Sequence, residues 1–145
     1  MSPGCGARTS PIRARRVWPA DPVDGYVDWI GLSGYYGTAG VTSYISFDQI
    51  FTKTLSDVDA ITRKPIVITE TGATNASGQQ AKWITQMFAQ LPSHPDVIGV
   101  IWFEAMKEID WRVATVPAAA AAFAQGAADP RYDAPWAPNG IPRTG

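Results

Sequence analysis

Lys64-Pro65-Ile66-Val67-Ile68-Thr69-Glu70-Thr71-Gly72 reads as a short buried strand that ends in a carboxylate, a hydroxyl and a glycine. Pro65 fits the first position of a strand, because it has no N–H to give to the ladder. Ile66, Val67 and Ile68 form an apolar run without alternation, the pattern of a parallel strand covered on both faces. Glu70 then falls where the strand emerges, the end at which parallel α/β folds bind ligands and do chemistry. A carboxylate there is a candidate nucleophile or base. A strand-end Glu paired with a neighbouring Lys or Arg is the alternative.

The same texture recurs on either side. Upstream, Tyr26-Val27-Asp28-Trp29-Ile30-Gly31-Leu32 reads as a strand, followed by a loop punctuated by Gly34, Gly37 and Gly40 that carries Tyr35, Tyr36 and Tyr44. Ser46-Phe47-Asp48-Gln49 has the spacing of a capping box. Phe47, Ile50, Phe51, Leu55 and Val58 continue from it at helical spacing. Downstream, Ser77-Gly78-Gln79-Gln80 repeats the capping-box spacing ahead of a stripe of Trp83, Ile84, Met87, Phe88 and Leu91, which Pro92 to Pro95 end. A third apolar strand spans 97–103, and an alanine-rich helix starts at Pro117 and is expected to stop before Gly126. The order is βαβαβα, which implies a parallel sheet and fits either part of a barrel or a doubly wound sheet.

Composition narrows the chemistry by exclusion. The 145 residues are enough for one domain, and 46% hydrophobic with 17% charged residues is ordinary for a globular protein. A net charge of -1 gives no reason to expect nucleic acid or an anionic membrane as partner. No stretch approaches the roughly 20 apolar residues of a membrane span. The single cysteine, Cys5, excludes an internal disulfide and a cysteine metal cluster. His94 is the only histidine, so no zinc site with several His ligands can form; in its helix-ending loop it reads as a surface residue. Gly31-Leu32-Ser33-Gly34-Tyr35 misses the Gly-x-Ser-x-Gly elbow, and no loop has a nucleotide-binding glycine pattern. No cofactor and no metal is expected.

Carboxylates and aromatics at strand ends remain. If the strands are parallel, Glu70, Tyr35, Tyr36 and Trp102 converge on one rim. Aromatic faces stack on pyranose rings, and a carboxylate attacks or stabilises an oxocarbenium-like centre. A core role for Tyr35 and Trp102 fits the pattern equally well.

The segments at 26–35, 46–51, 64–72, 99–103 and Asp110-Trp111-Arg112, taken in order, closely resemble glycoside hydrolase family 26, the β-mannanases and related endo-glycanases. The resemblance runs from about Trp18 to Tyr132 and covers the C-terminal part of the family's domain. It implies an α/β fold, a partial (β/α)8 TIM barrel made of roughly units six to eight. It implies Glu70 as catalytic nucleophile, Tyr35 as its hydrogen-bonding tyrosine and Trp102 as a wall of the subsite where the bond is cut, with Tyr36 and Trp111 as further substrate-binding residues. The implied partner is a polysaccharide or oligosaccharide, β-mannan or a mixed β-glucan.

The chain also departs from the family. A retaining glycosidase needs a second carboxyl group about 5–5.5 Å from the first. In the family that glutamate belongs to strand four, and nothing before Trp18 matches it. Glu104 stands where Asn or Asp is expected; it, Glu108 or Asp110 would be the only replacement acids at hand. A barrel of this kind takes about 250 residues. Hence this chain alone is expected to be inactive and marginally stable, with self-association through open barrel edges. Residues 1–17 read as a disordered or out-of-place leader, as a truncated gene or misread frame would leave, and 134–145 as an irregular tail. The family is usually secreted, but the first residues have no apolar h-region of a signal peptide. A non-catalytic sugar-binding remnant and an unrelated structural α/β module are the alternatives.

Overall fold

The computed structural model describes residues 26–37 and 43–133. The leader over 1–17, the turn material at Trp18 to Pro22, Gly40 and the tail over 134–145 lie outside them. Among the described residues, strand and helix alternate as β1 (Ile30–Tyr36), α1 (Phe47–Asp59), β2 (Ile66–Ala73), α2 (Gln80–Gln90), β3 (Val97–Trp102) and α3 (Pro117–Ala127). The strands make one parallel sheet in the order β1-β2-β3. The fold class is α/β.

Helix α1 starts where its sequence says it should. The Gln49 N–H donates to Ser46 Oγ at 3.2 Å and the Ser46 N–H donates to Gln49 Oε1 at 2.9 Å, which closes the capping box. Phe47, Phe51 and Leu55 are buried by this helix, and Trp83, Ile84 and Met87 by α2. Phe47, Phe51, Leu55, Trp83 and Met87 join Ile66 and Ile68 of β2 and Tyr36 of β1 in one core between the sheet and the helices. Helix α2 sits in the middle, touching α1 on one side and α3 on the other. The Trp83 indole N–H reaches the Ile45 carbonyl at 3.0 Å, so this large core residue leaves no polar atom unpaired.

Several local expectations need correction. Strand β1 begins four residues later than read and runs through Gly34, Tyr35 and Tyr36, which were assigned to a loop. Gly34 is in the strand because it faces α1: a Cβ there would lie 2.7 Å from Ile50 and 2.8 Å from Phe51. Strand β2 runs on to Ala73, so Glu70 lies within it and does not end it. The second capping box is not formed. Gln79 takes the N-cap position without a side-chain bond, and Ser77 Oγ instead meets the Tyr36 hydroxyl at 3.0 Å. Gly126 does not stop α3 but lies inside it, where a Cβ would fall within the Phe88 ring of α2. Absence of a side chain here permits close helix packing. After α3 a short 3-10 turn spans Pro130–Tyr132. His94 is no plain surface residue; its Nε2 lies 3.1 Å from Asp48 Oδ1 and its ring packs beside Phe47.

The largest difference concerns the sheet's second face. All three helices contribute to a single core on one side of the sheet, and among the described residues no helix covers the other side, where only the segment around Trp111 packs over Gly72. On the other side Ile98 is 45% and Ile101 56% exposed. The continuous apolar runs of β2 and β3 lead one to expect cover on both faces. The chain meets that expectation on one face alone.

Candidate functional site

The face without helices carries Glu70, and one irregularity in β2 decides that it does. Ile66 and Ile68 point into the helix core, so strict alternation would send Glu70 there as well. It does not, because β2 holds one extra residue relative to both neighbours. Leu32 pairs with Ile68 while Ser33 pairs with Glu70, and Val100 pairs with Ile68 while Trp102 pairs with Thr71. Such a bulge re-aims side chains. Thr69 and Glu70 are both exposed on the bare face, and Thr71 and Ala73 take up the core phase again. The Thr69 hydroxyl donates to the Leu32 carbonyl at 3.1 Å, and the Thr71 hydroxyl to the Gly34 carbonyl at 2.7 Å, so both flanks of Glu70 are pinned to β1.

Among the described residues no hydrogen bond or ion pair engages the Glu70 carboxylate. The pairing alternative for this side chain has no partner there. Two residues further on, roughly 6–7 Å along the strand, Gly72 opens room for an aromatic group. A Cβ at Gly72 would lie 3.2 Å from Trp111 and 3.4 Å from Tyr35. The Tyr35 ring packs on Trp111 at 4.8 Å between centroids and edge-on to Phe103 at 6.2 Å. Tyr35 and Trp111 are therefore brought together on the face that carries Glu70. No hydrogen bond joins Tyr35 to Glu70.

Trp102 and Tyr36 stand on the opposite side of the sheet. Trp102 packs edge-on to Trp83 and Phe123 at 6.0 and 5.7 Å, and Tyr36 is buried over Trp83. These are core contacts. In Trp102-Phe103 adjacent side chains point to opposite faces, and the residue that joins the Tyr35 cluster is Phe103. The sequence pair offered both rings without saying which one faced in. Gln80 also belongs to this cluster, and the capping-box spacing from Ser77 hides it, because its side chain bonds the Ala73 carbonyl and not the helix start.

The segment between β3 and α3 is held by its own polar residues. Glu104 accepts the N–H groups of Val113 at 2.8 Å and Ala114 at 3.0 Å. Asp110 takes a two-pronged bond from Arg112, Nε to Oδ1 at 2.9 Å and Nη2 to Oδ2 at 3.0 Å. Hydrogen bonds from the Arg112 side chain and backbone hold the Asp110 carboxyl at about 2, and the same pair raises Arg112. The two carboxylates are thus already committed, which leaves Glu108, exposed and 3.9 Å from Lys107, as the freest acid of this segment. Gln80, fully buried, donates its Nε2 to the Ala73 carbonyl at 2.8 Å, with the Arg112 and Trp111 carbonyls at 3.3 and 3.4 Å. Its Oε1 is buried without a hydrogen-bond partner among the described residues, a loss of about 1–3 kcal/mol.

A cavity of about 400 Å³ lies at the other end of the sheet, lined by His94, Val97, Arg131 and Tyr132 among others. It contains none of the candidates and has no carboxylate in its lining. Among the described residues no group of three or more His, Cys, Asp or Glu is arranged to hold a metal ion, and no helix is long and apolar enough to cross a membrane.

Comparison with known proteins agrees with this picture at the level of class: the relationship is glycoside-hydrolase-like. Over 123 residues the chain is 34% identical to Endoglucanase H of Acetivibrio thermocellus. The match takes in 79% of this chain and 14% of the relative, so the chain spans about one-seventh of that protein's length. No protein-family model matches the chain, and the relative's name identifies no narrower family within that class.

Proposed function

We propose that this chain is part of a retaining endo-glycanase of the family 26 type, a run of β/α units from a TIM barrel, in which Glu70 is the nucleophile. The observation that carries the reading is the bulge in β2. It puts an unpaired carboxylate on the open face of a parallel sheet, beside the rings of Tyr35, Phe103 and Trp111. The name of the relative and the resemblance of the motifs support the same reading. In this mechanism Glu70 attacks the anomeric carbon of a β-glucan or β-mannan, and the partly exposed rings of Tyr35 and Phe103, backed by the buried Trp111, form a wall against which a pyranose ring stacks. A second carboxyl group must protonate the departing sugar oxygen and later activate water. Glu104 and Asp110 are held by their own bonds, so that group is proposed to come from outside the described residues.

The 145-residue chain is therefore expected to hydrolyse mannan and glucan oligosaccharides little or not at all. Release of reducing sugar by this chain, abolished in Glu70→Gln, would overturn the claim of inactivity. The exposed aromatic-rimmed face also favours a second reading, oligosaccharide binding without catalysis. Saturable changes in tryptophan fluorescence with no turnover would distinguish it.

A further inference from the structure

We infer that Gln80 and Trp102 are positioning residues that lock Trp111 against the face of Glu70; the inference rests on the proposed glycan site. The Trp111 ring has no strand of its own to hold it, since it lies in the segment between β3 and α3. Its carbonyl is fixed from below by two donors, the fully buried Gln80 amide and the partly buried Trp102 indole. The Trp102 indole N–H reaches it at 3.0 Å, and Gln80 Nε2 lies 3.4 Å away while also donating to the Ala73 carbonyl at 2.8 Å. Ala73 ends the strand that carries Glu70 three residues earlier. The Gln80 amide thus ties the segment bearing the aromatic wall to the strand bearing the carboxylate, and the Trp102 indole ties the same segment to β3.

Two further facts argue that the arrangement serves position more than packing. Gln80 leaves its own Oε1 buried and unpaired, a cost that an apolar side chain of equal length would avoid. Trp111 is only 7% exposed and is wedged over Gly72, where a Cβ would lie 3.2 Å from its ring, so a small slip of the segment would displace it. A group that builds a site must be held to within about 0.5 Å by residues behind it. Gln80 and Trp102 occupy that place behind Trp111.

The full chain labelled with 5-fluorotryptophan reports on this directly, with the Trp111 resonance assigned by its loss in Trp111→Phe. Gln80→Met keeps length and removes the donor. Trp102→Phe keeps a ring against Trp83 and removes the N–H. In both, the Trp111 resonance is expected to move or split without ligand, whereas Lys82→Ala, on the exposed side of α2, leaves it in place. Affinity for a β-glucan oligosaccharide is expected to fall about tenfold at a melting midpoint that stays cooperative. A purely structural Gln80 would lower the midpoint and leave the affinity of the folded chain unchanged, which would overturn the inference. So would an unmoved Trp111 resonance in either folded variant. If Gln80→Met does not fold, Trp102→Phe alone decides. A parent chain that binds no oligosaccharide while both variants still move Trp111 would overturn the glycan reading and uphold the clamp.

Discussion

At Glu70 the carboxylate is exposed and makes no hydrogen bond or ion pair among the described residues, so changing it to an amide removes charge without removing a bond. Glu70→Gln is expected to leave thermal stability within about 0.5 kcal/mol of the parent; a clear drop in the melting midpoint would mean the carboxylate is a structural group after all. Asp110 is the contrasting case. Its carboxyl is held at about 2, below the usual 3.8, chiefly by the Arg112 side chain. A depressed folded-state value stabilises the ionised form, so the contribution is complete above about pH 4. It fades as the pH falls towards 2. The Trp111 signal should therefore loosen in that acidic range in the parent and be insensitive there in Asp110→Asn. That a carboxylate interrupts an apolar strand at position 70 was legible in the sequence. Why it faces outward was not, because alternation from Ile66 and Ile68 points it inward and a bulge leaves no mark in composition.

At the scale of elements, the signals that lived in local chemistry were readable and those set by tertiary contact were not. The box at Ser46 and Gln49 formed as spaced; Ser46→Ala is expected to cost about 1 kcal/mol, measurable by denaturant titration. The matching spacing at Ser77 and Gln80 failed because both side chains had longer-range partners, Tyr36 for one and Ala73 for the other. Glycines misled in the same way. Gly34 and Gly126 were read as loop and stop, yet each is small because a helix side chain presses on it. Gly126→Ala improves local helix propensity, but the new methyl group meets the Phe88 ring. The variant is expected to be less stable than the parent by about 1–3 kcal/mol, as overpacked cores are. A stabilised variant would contradict the close α2–α3 contact.

For the molecule as a whole, a parallel sheet covered on one face is the unusual feature. The other face offers Ile98 and Ile101 to water, and β1 and β3 each have an unpaired edge among the described residues. Parallel sheets otherwise occur covered on both sides, and open strand edges recruit further strands. The chain is expected to associate with itself in a concentration-dependent way, and Ile98→Lys with Ile101→Lys should shift it towards monomer in sedimentation experiments. A parent that stays monomeric at all concentrations with a sharp unfolding transition would remove the expectation. The alternation of strands and helices that defines the α/β class was visible from hydrophobic runs and breakers alone. The bare face was not, because a strand's sequence records its own apolarity and says nothing about whether a neighbour arrives to cover it.

The bulge at Thr69 has a consequence for editing the chain. Deleting a residue from a central strand ordinarily turns every later side chain to the wrong face. Between Ile68 and Thr71 the count in β2 is already one too many against both neighbours, so removing Thr69 would restore even pairing over that stretch. Glu70 would still face outward, and Thr71 and Ala73 inward. Here the shortest insult to a strand would be absorbed by a residue held in reserve, and what would vanish is the local twist that sets the angle of the carboxylate.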